Sequence, residues 1–123
     1  MTDYSKMSDQ EINMAIAEII FPDYKVIESK SRPPSACVIS HLPSKWVDYC
    51  NSPADAWPII DENNITIIND NPSLRFAVSE VAAYFNGSNH IWSAHENGLK
   101  AAMIVFLKMQ ESQNAKIPSE RDS

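Results

Sequence analysis

Apolar residues recur at helical spacing near both ends of the chain, and between them they come in short runs broken by Pro, Asn and Asp. Near the start, Ile12, Ala15, Ile16, Ile19 and Ile20 form one stripe, which predicts an amphipathic helix. Ser8 is a good N-cap with Glu11 three residues on, a capping box, and Met7 and Ile12 hold the positions of a hydrophobic staple. Pro22 stops this helix near Ile20. Toward the end, Leu99, Ala102, Met103, Phe106 and Leu107 make a second stripe after a cap at Asn97. Ile104, Val105 and Met109 widen it until most faces are apolar. Such a helix belongs in the core, packed on a sheet and covered by another element.

The middle of the chain reads as short extended pieces. Tyr24–Glu28 and Ala36–Leu42 are candidate strands on either side of a Pro33-Pro34 loop, and Pro43 ends the second. Ser52 can cap a helical turn, Pro53 suits its first position, and Asp55 faces the N-terminal dipole. Pro58 is expected to end that turn after one round, with Trp57 pointing inward. Asn64–Ile68 is a strand closed by the turn-rich run Asn69–Pro72. Residues 73–85 fit a helix capped by Ser73 and stopped by Asn86-Gly87, although Phe76, Val78, Tyr84 and Phe85 also suit strands; the helix is preferred. His90–Ala94 is a strand around Ile91 and Trp92. The pattern predicts an α+β fold. A small, mainly antiparallel sheet packs against a buried C-terminal helix and an amphipathic N-terminal helix. Residues 1–111 form a single domain, and the polar, Pro-containing residues 112–123 form a disordered tail.

Composition agrees with one modest core. The chain has 123 residues, 44% hydrophobic and 21% charged, so folding can bury about two thirds of the unfolded surface without a metal or disulfide. With only 2 Gly, phosphate-cradling loops are disfavoured, while 8 Pro stiffen the connections. The net charge is −6 and Lys and Arg are not clustered, so no direct nucleic-acid binding is expected. The acid is unevenly placed: from Trp46 to Leu74 there is no Lys or Arg, but there are Asp48, Asp55, Asp61, Glu62 and Asp70. Neither a secretory signal nor a run near the ~20 apolar residues of a membrane span is found, so a cytoplasmic protein is expected. Cys37 and Cys50 suit a reducing compartment, and whether they pair is left open.

Candidate chemistry is sparse. His90 and His95 are five apart and would face opposite sides of a strand. Cys37 and His41 are four apart, with no second pair at ligand spacing. No metal and no cofactor are expected. Cys37 reads as packing, and Asp48 beside Cys50 would raise its pKa rather than activate it. No nucleophile elbow occurs, and Asp61-Glu62 reads as a charged turn, so no catalytic residue is assigned. The structural reading of the Pro53–Ile60 segment is a rigid turn anchored by Trp57. The functional reading is a recognition patch of Trp46, Tyr49 and Trp57 bordered by Asp48, Asp55, Asp61 and Glu62.

Three stretches together resemble one family. Asp3-Tyr4-Ser5-Lys6-Met7-Ser8-Asp9-Gln10-Glu11-Ile12-Asn13 looks like its opening, D-Y-S-x-L-S-D-x-E-I-N. Cys50-Asn51-Ser52-Pro53-Ala54-Asp55-Ala56-Trp57-Pro58-Ile59-Ile60 looks like its central C-N-x-P-A-D-A-W-P-I-I. Ala101–Leu107 with Met109-Gln110-Glu111 looks like its closing A-A-M-I-V-F-L-x-M-Q-E. The family is the NinX-like group of phage and prophage accessory proteins. Gly98 stands where the pattern has Pro, Lys108 where it is usually apolar, and residues 24–46 and 70–96 show little likeness. The resemblance implies expression in the cytoplasm of an infected or lysogenic bacterium, and no particular chemistry. The expected function is a non-enzymatic module that binds a host or phage protein. The rivals are a small enzyme of nucleotide or nucleic-acid metabolism, marked by two convergent titratable groups, and an acidic DNA mimic, marked by a row of carboxylates.

Overall fold

The computed structural model describes residues 3–39, 43–79 and 91–122, with side chains as far as Gln113. After a short 3-10 turn at Tyr4–Lys6 come α1 (Asp9–Ile20), β1 (Lys25–Glu28), β2 (Ala36–Ile39), β3 (Lys45–Val47), α2 (Pro53–Glu62), β4 (Ile65–Asn71), β5 (Leu74–Ser79), β6 (Trp92–His95) and α3 (Gly98–Asp122). The fold is α+β. Its strands form two antiparallel three-stranded sheets rather than one, in the orders β1-β2-β3 and β4-β5-β6.

The order of packing explains the apolar C-terminal helix. α3 packs against all three strands of the second sheet and also meets α1 and α2. α1 in turn packs on β1 and β2 of the first sheet. With neighbours on several sides, every residue from Lys100 to Leu107 is buried. Leu99, at the entry, is only partly buried. The helix runs on to Asp122, beyond residue 111 where the sequence places the end of the domain.

α1 begins as expected. Ser8 Oγ accepts the Glu11 N–H, and a Glu11 carboxylate oxygen accepts the Ser8 N–H at 2.9 Å, so both arms of the capping box form. The buried line differs from the predicted stripe: Ile12, Asn13, Ile16 and Ala17 are buried, while Ile19 and Ile20 stay exposed in the last turn. A polar residue, Asn13, therefore faces the core.

Two other expectations are corrected. α2 is not a single turn. It continues through Pro58 for ten residues. Pro58 cannot bond the Ala54 carbonyl, but Ala54 and Pro58 are both exposed, so water can serve that carbonyl. Burial of Ala56, Ile59 and Ile60 at i, i+3, i+4 carries the helix past the break. It ends where Asn63 Nδ2 donates to the Ile59 carbonyl at 2.8 Å and Asn64 takes φ 55°, a left-handed conformation that Asn tolerates.

The second correction concerns residues 74–79, which form strand β5 and not the start of a helix. Pairing with β4 across Pro72-Ser73 and with β6 on the other edge outweighs the local helical pattern, as tertiary context commonly does for short apolar segments. Residues 80–85 of that expectation, His41 and His90 lie outside the described residues.

Candidate functional site

The sequence patch does not stay together on the surface. Tyr49 is only 3% exposed and belongs to the core. Burial, with the charge of Asp55 second, pushes its phenol well above the usual range. Asp48, in the loop before α2, meets Asp55 in the first turn of that helix, where the Asp48 N–H donates to Asp55 Oδ2 at 3.0 Å. Trp46 lies on the first sheet, 39% exposed, with the Arg32 guanidinium 4.3 Å above its ring. Trp57 is 59% exposed and points outward, against expectation. It follows Ala56 by one residue, about 100° around the helix, so burying the Ala56–Ile59–Ile60 stripe turns the indole away from the core. Asp61, one turn on, and Glu62 are exposed with it.

The structure assembles a different group of polar residues. Asn13 Nδ2 donates to Asp48 Oδ1 at 2.8 Å and to the Pro34 carbonyl at 3.0 Å, while its Oδ1 accepts the buried Cys50 N–H at 3.2 Å. Asn51 Nδ2 donates to Asp48 and, at 3.2 Å, to Asp9 Oδ2. Lys100 Nζ pairs with Asp9 Oδ1 at 2.9 Å. Asn97 caps α3 by accepting the Leu99 and Lys100 N–H groups, and its Nδ2 donates to the Cys50 carbonyl at 2.7 Å. Thus the start of α1, the loop before α2 and the start of α3 are tied into one network. Among the described residues no buried side-chain nitrogen or oxygen lacks a hydrogen-bond partner.

The electrostatics of this network favour cohesion over reactivity. Burial works against charge on Asp9, but hydrogen bonds from Lys100 and Asn51 outweigh it and hold the carboxyl below its ordinary value. Burial first, and Asp9 second, push the Cys50 thiol up to about 12. At neutral pH that thiol is protonated and a poor nucleophile. Both cysteines are free and buried. Among the described residues no group of three or more His, Cys, Asp or Glu is arranged to hold a metal ion. Sequence reasoning overlooked Asn13, Asn51 and Lys100.

The opening and central motifs contribute Asp9, Asn13, Cys50 and Asn51 to this junction, and the closing motif follows Asn97 and Lys100 directly. The sequence profile of the family described as Bacteriophage P22, NinX matches residues 3–110. The chain belongs to the NinX family. It is therefore a phage accessory protein by kinship. No curated protein and no solved structure matches it. Among the described residues no helix is long and apolar enough to cross a membrane.

Two departures from the NinX pattern have structural explanations. A Cβ on Gly98 would sit 3.2 Å from Ile67 Cγ2 of β4, so the second sheet lies tight against the start of α3. Lys108 Nζ donates to the Trp92 carbonyl at 3.0 Å, which ties α3 to the neighbouring strand β6.

Proposed function

We propose that this NinX protein is a non-enzymatic module that binds a host or phage protein in the bacterial cytoplasm, using the outward face of α2. The observation that carries this reading is the 59% exposure of Trp57. The carboxylates and amides of the same motifs hold the fold together, whereas Trp57 is left at the surface, with Asp61 one turn away. Trp is the residue most favoured as an interface anchor, and flanking acids select and steer a basic partner. The DNA-mimic alternative needs a row of exposed carboxylates. Asp48 and Asp55 accept internal hydrogen bonds instead, which leaves Asp61, Glu62 and Asp70 exposed within the stretch from Trp46 to Leu74.

The test places a photoreactive phenylalanine analogue at position 57, with position 92, 51% exposed on the second sheet, as a control, in infected host cells. The reading expects a discrete protein adduct at position 57 that disappears when Asp61→Asn and Glu62→Gln are added. Equal labelling at both positions, or an adduct indifferent to those two changes, would overturn it.

A further inference from the structure

The first sheet has an outer face that the core does not use. Its register places Ile27, Cys37 and Trp46 in one cross-strand row, and Lys25 and Ile39 share that face. The alternate residues Val38, Ala36 and Val47 are buried. On the outer row Ile27 is 37% and Trp46 39% exposed, the latter beneath Arg32, while Cys37 between them is buried. The charge here is opposite to that of the whole chain. Residues 25–45 hold Lys25, Lys30, Arg32 and Lys45 against the single acid Glu28. All four cations are exposed, but Lys25 by its register and Arg32 by its place over Trp46 are the two set on this face, whereas Lys45 pairs with Val38 on the other face and lies over the Phe21 ring. A basic, aromatic surface thus stands in a protein of net charge −6.

The same chain carries the complement of this surface: an exposed indole beside Asp61 and Glu62 on a segment with no Lys or Arg from Trp46 to Leu74. We infer that the outer face of the first sheet docks the α2 face of a second copy of the chain. This rests on the proposed use of α2 as a protein-binding face and names one partner for it. Each face offers an exposed Trp, and Arg32 adds a planar cation, the residue types that dominate interface energetics. A nucleic acid fits less well. Nucleic-acid binders carry a dominant basic face, whereas this face holds Lys25 and Arg32 in a chain of net charge −6.

Salt alone cannot test this contact. Two copies of charge −6 repel each other, and added salt screens that repulsion together with the local attraction. Charge reversal separates the two. The full chain is followed by sedimentation across a concentration series, beside a basic-face variant (Lys25→Glu with Arg32→Glu) and an α2 variant (Asp61→Lys with Glu62→Lys). Circular dichroism checks that both fold. The wild type is expected to self-associate, and each variant alone to dissociate about tenfold or more readily, the loss typical of a disrupted hot spot. Mixing the two variants should restore association, because an acidic sheet face then meets a basic α2 face. A wild type that stays monomeric, or a mixture that does not associate, overturns the inference. So does a basic face that binds oligothymidine and loses it on Arg32→Glu, which would assign it to single-stranded nucleic acid. If the chain is monomeric while position 57 still crosslinks to another protein, only the second-copy inference fails. If that crosslink is absent too, the reading of α2 fails with it.

Discussion

Lys100 and Asp9 form an ion pair of 2.9 Å between the first turn of α3 and the first turn of α1, with the lysine side chain 10% exposed and the carboxylate 33%. The two residues are far apart in sequence, and each is the partner that makes the other's burial tolerable. Removing one leaves a charge in a poorly hydrated place. Lys100→Met should cost about 1–3 kcal/mol, less than the loss of a fully buried pair because Asp9 still reaches water. The double variant with Asp9→Asn should recover part of that loss. Chemical denaturation of both singles and the double checks it, and strictly additive losses would show that the pair is not coupled.

Asn13 supplies a second test of the junction. Asn13→Leu leaves the buried Cys50 N–H without its acceptor and takes one of two amide donors from Asp48, which keeps Asn51. A loss of about 1–3 kcal/mol is expected from the unsatisfied groups. Asn13→Asp keeps the acceptor but sets a second carboxylate against Asp48, so its loss should shrink as the pH is lowered through the carboxylate range.

Stability should fall on the alkaline side. Burial raises the Cys50 thiol from the ordinary 9.0 to about 12. A group raised in the folded state contributes fully below its unfolded pKa, and that contribution is lost as pH climbs through the folded value. The window is therefore pH 9 to 12, with Tyr49 adding to the fall in the same direction. Cys50→Ala should flatten the decline by at most about 1.4 kcal/mol per pH unit, as one titrating group allows. Equal slopes for the two proteins in urea denaturation would contradict the assignment.

Phe106 and Trp57 should respond oppositely to truncation. Phe106 is 3% exposed within the run of α3 that touches several elements, so Phe106→Ala should cost about 3–5 kcal/mol through lost burial and a cavity. Trp57→Ala should change stability by no more than about 0.5 kcal/mol, because its indole is mostly in water. Tyr49→Ala should resemble Phe106→Ala, which makes it unsuitable as an interface probe. Thermal melts of the three variants decide this.

The end of the domain is open to truncation. The buried run of α3 stops at Leu107, and the Tyr4 hydroxyl donates to Glu111, while Ser112 and Gln113 are exposed. Deleting residues 114–123 should leave the melting temperature within about a degree, because the buried run that holds α3 ends well before them. Deletion from Glu111 onward should lower it measurably through loss of the Tyr4 contact.

Where a local signal met no competing tertiary contact, the sequence alone determined the outcome. The capping box of Ser8 and Glu11, the caps at Ser52 and Asn97, and the all-round apolar run of α3 are local: they depend on hydrogen bonds within a turn or on periodicity along one helix. The α+β class and the NinX kinship follow from patterns of the same kind. The tertiary structure decided what depends on distant partners. Whether residues 74–79 are strand or helix was settled by the ladders to β4 and β6. Whether α2 survives Pro58 was settled by burial of Ile59 and Ile60. The split into two sheets required pairings between segments that spacing does not encode. The candidate site divided in the same way. Aromatic and acidic residues between 46 and 62 were legible as a group, but helical rotation sent Trp57 outward, burial took Tyr49, and hydrogen bonds drew Asp48 and Asp55 into the fold. The junction of Asp9, Asn13, Asn51, Asn97 and Lys100 exists only because three chain segments converge, and no local pattern records which buried polar groups will find one another.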